Sequence, residues 1–237
     1  MCGRYYLLSP ADLLKARFLL DVLEDPGPPR YNIAPGQNAP VIVYDDGRVL
    51  RPMRWGLVPS WASSPSEISR TINARVETAA SLPSFREPFR TRRALVPANG
   101  FFEWKKDPGR KRPFAVRRKD GAPIAFAGLW DRWRSPDGET LDSFTILTTD
   151  ANEAVAKLHD RMPVILTPET EKLWLDPART TPAELAPALK APGAAALEAT
   201  EVSPAVNSPK NDGPEVLEPP SEPAAPRPRQ RGLFEDS

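Results

Sequence analysis

Short apolar runs punctuated by turn residues constrain this chain most, because they leave little room for long amphipathic helices. Pro40-Val41-Ile42-Val43-Tyr44 and Arg48-Val49-Leu50 flank Asp45-Asp46-Gly47, and Phe114-Ala115-Val116 and Ile124-Ala125-Phe126 flank Lys119-Asp120-Gly121. Both pairs read as β-hairpins. Ala94-Leu95-Val96, Phe101-Phe102-Glu103-Trp104, Ser143-Phe144-Thr145-Ile146-Leu147 and Val164-Ile165-Leu166 supply further strands. Helix starts are fewer. Ser9-Pro10-Ala11-Asp12 reads as a capping box with proline at the first helical position, and Asp150-Ala151-Asn152-Glu153, Thr167-Pro168-Glu169 and Thr181-Pro182-Ala183-Glu184 read as three more. Strands cluster instead of alternating with helices, which predicts a strand-rich α+β domain and not a doubly wound sheet. At 237 residues the chain suits one domain plus a tail. After about Gly213 the composition turns to proline, alanine, glutamate and arginine, so residues 1–212 are expected to fold and 213–237 to form a flexible tail.

The chain has one cysteine, Cys2, and one histidine, His159. That pair rules out an internal disulfide and cannot supply the four ligands of a structural zinc site, so no metal and no cofactor is expected. No apolar run approaches the roughly 20 residues that span a bilayer, and no hydrophobic segment precedes Cys2, which predicts a cytoplasmic protein with no membrane partner; a monomer is expected. The charge of +1 conceals a division. From Ala191 onward there are 4 Lys/Arg and 8 Asp/Glu, leaving 28 and 23 of the totals for residues 1–190, so the body is mildly basic. That permits nucleic-acid contact without requiring it.

Position 2 gives the cysteine unusual chemistry. An initiator methionine ahead of so small a residue is normally removed, which would expose a free 1,2-aminothiol. Its α-amine, with a reference pKa near 7.7–8.0 against roughly 10.4 for lysine, is unprotonated about a hundredfold more often at neutral pH. Such an amine can form a Schiff base with an aldehyde, and the thiol can close onto the imine carbon to give a five-membered thiazolidine.

Six segments in order carry a family resemblance: Met1-Cys2-Gly3-Arg4, Arg30-Tyr31-Asn32-Ile33-Ala34-Pro35, Trp55-Gly56-Leu57-Val58-Pro59-Ser60-Trp61, Ile72-Asn73-Ala74-Arg75-Val76-Glu77-Thr78, Gly100-Phe101-Phe102-Glu103-Trp104 and His159-Asp160-Arg161-Met162-Pro163. Together they resemble the SRAP family, the SOS response-associated peptidase or abasic-site processing proteins. The resemblance implies antiparallel sheets forming a barrel-like core with peripheral helices. It also implies a protein of the DNA damage response that crosslinks covalently to abasic sites in single-stranded DNA through Cys2, shielding the lesion. The matching active-site positions are Cys2, Asn73, Glu103 and His159.

Trapping the aldehyde of a closed deoxyribose requires proton transfer at the ring oxygen. His159 suits the sugar oxygen and Glu103 the amine. In a strand, Phe102 and Trp104 share one face and Phe101, Glu103 and Lys105 the other, so Glu103 could also be a solvated edge residue. Asn73 could simply turn the backbone. Arg4, Arg75 and Arg161 lie within a few residues of these positions and could hold flanking phosphates. Trp61, in a loop, could stack on a base, and Asn32 and Asn207 are lesser candidates for backbone contact. A competing reading is a thiol hydrolase with Cys2 as nucleophile, His159 as base and Asn73 as orienter, autocatalytic removal of Met1 being one limited form. At the C-terminus, Gln230-Arg231-Gly232-Leu233-Phe234 looks like a bacterial sliding-clamp binding peptide, with Leu233 and Phe234 as apolar anchors and Gln230 fixing orientation.

Overall fold

A computed structural model describes residues 2–65, 71–107, 110–190 and 196–220. In chain order these form strand β1 (Tyr5–Leu7), helix α1 (Ala11–Phe18), strands β2 (Val22–Leu23), β3 (Arg30–Ile33), β4 (Asn38–Tyr44), β5 (Arg48–Trp55) and β6 (Asn73–Arg75), and helices α2 (Val76–Ala79) and α3 (Arg86–Thr91). Strands β7 (Arg93–Ala98), β8 (Gly100–Asp107), β9 (Arg110–Arg118), β10 (Ile124–Arg134) and β11 (Thr140–Asp150) come next. Helix α4 (Glu153–Ala156), strands β12 (Arg161–Pro163) and β13 (Ile165–Leu166), helices α5 (Pro168–Leu175) and α6 (Pro182–Leu185), and strand β14 (Leu197–Glu201) complete the order. The protein is strand-rich α+β, with short helices around the sheets.

Strands β5, β4, β7, β10 and β11 pair in that order, and β11 returns to β5 to close a five-stranded barrel. A ring with an odd number of strands cannot alternate direction throughout, so one seam has to be parallel. It is β11–β5, which registers Ser143 with Arg54 and Phe144 with Trp55. Strand β6 adds to β11 in parallel beyond this seam, Asn73 opposite Ile146, and β2 adds to β5 in parallel. The other pairings are antiparallel. Trp55 stacks on Phe144 across the seam, with ring centroids 6.3 Å apart and planes 11° from parallel. Trp55, Phe126, Phe144, Ile42 and Leu95 are fully buried, each contributing about 1.5–3 kcal/mol of transfer free energy.

A second sheet, ordered β14-β9-β8-β1-β3, lies against the barrel. Its period-two alternation divides its side chains cleanly. Tyr5, Phe101 and Val116 join the main core, where the Tyr5 ring meets Trp55 at 5.2 Å and Phe126 at 5.9 Å. Tyr6, Phe102 and Ala115 face the other way, onto Val202, Val206 and Val216 of the C-terminal segment. That segment is strapped to β3 by its own Asp212, which accepts from the backbone N–H of Tyr31 and Asn32 and pairs with Arg30.

Three expectations change. The Lys119-Asp120-Gly121 turn does not close a hairpin, because β9 pairs with β8 and β14 whereas β10 pairs with β7, β11 and β13. The turn chemistry is genuine, with Gly121 at φ +71° and Asp120 accepting from Ala122 N–H, but a reversal does not dictate which sheet the next strand joins. Ser9 does not cap α1, since its hydroxyl donates to Asn99 Oδ1 and Pro10 occupies the cap position. The tail does not begin at Gly213: Pro214–Val216 forms a 3-10 turn and Val216 is fully buried. One apolar side chain is enough to hold this stretch, because the sheet face beneath it is already built. The other three helix starts hold, with Asn152, Thr167 and Thr181 capping α4, α5 and α6. No helix among the described residues is long and apolar enough to cross a membrane.

Candidate active site and nucleic-acid interface

Cys2 lies just ahead of β1 and is fully buried. Burial, followed by the negative charge of Glu103, pushes its thiol well above the usual range. The parallel addition of β6 to β11 delivers Asn73, whose Nδ2 donates to the Cys2 carbonyl at 2.8 Å. The Asn73 side-chain oxygen is buried and has no protein partner among the described residues. A buried acceptor left open in this way is ready for a donor on an incoming molecule.

Glu103 is 3% exposed, so it is no solvated edge residue. Burial raises its carboxyl above the ordinary range, against the opposing positive charge of the amino terminus. His159 follows α4 and is partly exposed. Burial and the charges of the amino terminus and Lys106 lower its pKa, while Asp160 works the other way. The neutral ring accepts from Arg161 N–H through Nδ1 at 3.0 Å. The same Nδ1 lies 2.7 Å from Asp160 Oδ1, which it can bond only when protonated. These two arrangements are mutually exclusive, the first needing a bare Nδ1 and the second an Nδ1–H, so the ring exchanges one partner for the other by tautomerising or by gaining a proton. Glu103 and His159 open onto one groove of about 440 Å³ whose remaining walls are Trp104, Lys106, Lys111 and Asn207.

The candidate DNA contacts divide. Arg75 is exposed. Trp61 is 66% exposed on a turn fixed from below, where Ser60 N–H donates to Asp131 Oδ2 at 2.9 Å and Trp133 Nε1 donates to Ala62 O at 2.7 Å. Asn207 faces the groove and accepts from Trp104 Nε1 at 2.7 Å. Arg4 is half-buried, donating to Asn32 Oδ1 and Val206 O, with its guanidinium 6.0 Å from the Trp104 ring centre. Asn32 and Arg161 are turned inward. Asn32 is fully buried and donates to the carbonyls of Val206, Ser208 and Asn211, so it clamps the C-terminal strap and cannot reach a nucleic acid directly. The Arg161 guanidinium is held by Glu77, Asp150 and Thr148 O, which fixes the backbone that presents the His159 ring. Gln230, Leu233 and Phe234 lie outside the described residues. Lys106 and Lys111 were not foreseen. The alternation along β8 puts Trp104 and Glu103 on opposite faces, yet both line the same groove.

Barrel and site together define a strand-rich α+β protein whose candidate site gathers Asn73 and Glu103 around Cys2. The model of the SOS response associated peptidase (SRAP) family matches residues 1–209, and the chain belongs to that family. It is 44% identical over 222 residues to the abasic site processing protein YoqW of Bacillus subtilis, covering 92% of this chain and 99% of that one. It is 34% identical over 227 residues to the abasic site processing protein YedK of Escherichia coli, covering 92% and 100%. Over 224 residues it is 36% identical to the abasic site processing protein HMCES of Gallus gallus, covering 81% of this chain and 66% of that protein. A crystal structure of a protein from Bacteroides thetaiotaomicron superposes with a TM-score of 0.81 at 31% identity, covering 92% of this chain and 99% of that one.

Proposed function

We propose that this chain captures abasic sites in single-stranded DNA as a covalent thiazolidine on Cys2, once Met1 has been removed. The observation that carries the reading is the bond from Asn73 to the Cys2 carbonyl, which fixes the chain start beside the Glu103 carboxyl. The names of the relatives point to the same lesion.

The residues suit the steps. A neutral His159 ring can take or give a proton at the sugar ring oxygen as the hemiacetal opens. The α-amine then attacks the aldehyde carbon, and the carbinolamine loses water to give an imine, with Glu103 moving the protons on nitrogen. The raised pKa keeps the thiol protonated until this stage, so nitrogen reacts first. Sulfur next adds to the imine carbon, and the proton that it gives up ends on the ring nitrogen. One C–N bond and one C–S bond form, and one water leaves. A thiol hydrolase would need the opposite tuning, a thiol pKa lowered by a nearby cation, and Glu103 and burial work against that.

Intact mass spectrometry after incubation with an abasic single-stranded oligonucleotide tests the reading. The expected product has the mass of the chain without Met1 plus the oligonucleotide minus one water. Blocking the α-amine should abolish it as completely as Cys2→Ala does. An adduct that survives amine blocking, or a chain that keeps Met1 and still crosslinks, would overturn the mechanism.

A further inference from the structure

Two like-charged pairs face each other across the β8–β9 hairpin, and only one of them is neutralised. In its register Lys105 sits opposite Arg112 and Lys106 opposite Lys111. The first like-charged pair is offset by carboxylates: Arg112 bonds Asp107 at 2.5 Å and Glu201 at 2.7 Å, and Lys105 lies 4.0 Å from Asp107. Further along the same sheet, Arg117 pairs with Glu198 and Arg118 with Asp120. The second like-charged pair has no such relief. Lys106 and Lys111 are exposed, have no acidic partner within ion-pair distance among the described residues, and both line the groove that holds Glu103 and His159. Like charges directly opposite one another in a sheet are destabilising. The fold bears that cost at one place, beside the reactive centre, while relieving it elsewhere on the hairpin.

We propose that Lys106 and Lys111 form a phosphate seat, two ammonium groups on opposite strands that hold the DNA backbone as it passes the Cys2 centre. This rests on the proposed function above for the identity of the polymer. Ammonium groups on directly opposed residues of neighbouring strands can converge on one phosphate or straddle two. Lys106 also lies near enough to His159 to lower its pKa, so a phosphate docked there would screen that charge and make the ring more basic when DNA is bound.

The test compares the full chain with a Lys106→Gln/Lys111→Gln variant, using a Lys172→Gln variant on α5 as the control for a general loss of charge. Noncovalent affinity for undamaged single-stranded oligonucleotide is measured from 50 to 200 mM salt. Each phosphate neutralised contributes about 0.7 to the slope of log affinity against log salt. The double variant should therefore lose about 0.7 of slope if the lysines share one phosphate and about 1.4 if they hold two. Across that salt range wild type then weakens about 3- to 7-fold more than the variant. Its melting temperature should equal or exceed that of wild type, since a repulsion has been removed. An unchanged slope, or a slope change equal to that of the Lys172→Gln control, would overturn the proposal. If wild type binds DNA but forms no covalent adduct with the abasic oligonucleotide, the proposed function fails while the slope still decides the fate of the lysines.

Discussion

Replacing Asn32 by alanine should destabilise the whole domain, because this side chain is a clamp within the fold. Its Nδ2 has two hydrogens and three carbonyl acceptors, at 2.7 Å for Asn211, 3.0 Å for Ser208 and 3.3 Å for Val206, so it makes two full bonds at a time. Its Oδ1 accepts from the Arg4 guanidinium at 2.8 Å. Two neutral bonds contribute about 1 kcal/mol each and one charge-assisted bond about 1.5–3 kcal/mol, which gives a loss of about 3.5–5 kcal/mol. For a domain of this size each kcal/mol moves the melting temperature by about 2–4 °C, so the midpoint should fall by about 7–20 °C. Differential scanning calorimetry reads this directly, and urea titration should show a lower midpoint with an unchanged slope. If Asn32 served instead as a contact to DNA, Asn32→Ala would melt within about 2 °C of wild type and bind oligonucleotide more weakly, and the clamp argument would be refuted.

Glu103→Gln should slow crosslinking and yet raise the melting temperature at pH 8, because it removes a buried carboxylate. The sign follows from the raised pKa: what Glu103 contributes to stability is present below its unfolded value and is lost as pH rises through the folded one, so the gain should vanish towards about pH 4. A variant less stable than wild type at pH 8 would contradict it. Gly100→Ala would put a methyl group against the Tyr6 hydroxyl and within 2.5 Å of Val116 O, at a cost of about 1–3 kcal/mol or more. An unchanged urea midpoint would show that the sheet yields there. Trp61→Ala should leave stability within about 0.5 kcal/mol of wild type while weakening single-strand binding by about fivefold or more through lost stacking. Equal affinity in a binding titration would remove Trp61 from the interface.

What the sequence reveals depends on how local the determinant is. The hairpin of β4 and β5 and the caps at Asn152, Thr167 and Thr181 are settled by residues a few positions apart, and all were legible. The jump from β9 to β10 was not, because Lys119-Asp120-Gly121 specifies a reversal and says nothing of the partner sheet. Nor was the parallel seam, where Arg54 and Trp55 meet residues nearly ninety positions later. In the site, the resemblance drew attention to Cys2, Asn73, Glu103 and His159, and the fold sets Asn73 against Cys2 and opens Glu103 and His159 onto one groove. The inward roles of Asn32 and Arg161 were hidden, because an amide or guanidinium suits a buried carbonyl as well as a phosphate. Val216 was masked by its proline-rich surroundings.

The parallel docking of β6 on β11 also governs when the candidate site can exist. Asn73 reaches Cys2 only because β6 has docked on β11, a strand completed at Asp150, about 150 residues after the cysteine is synthesised, and His159 follows later still. The first part of the chain to be synthesised is thus the last to be armed. A nascent or truncated chain that stops short of β11 carries the cysteine without Asn73 to hold it and without His159, so under the proposed function the late pairing of β6 with β11 would act as a safety catch.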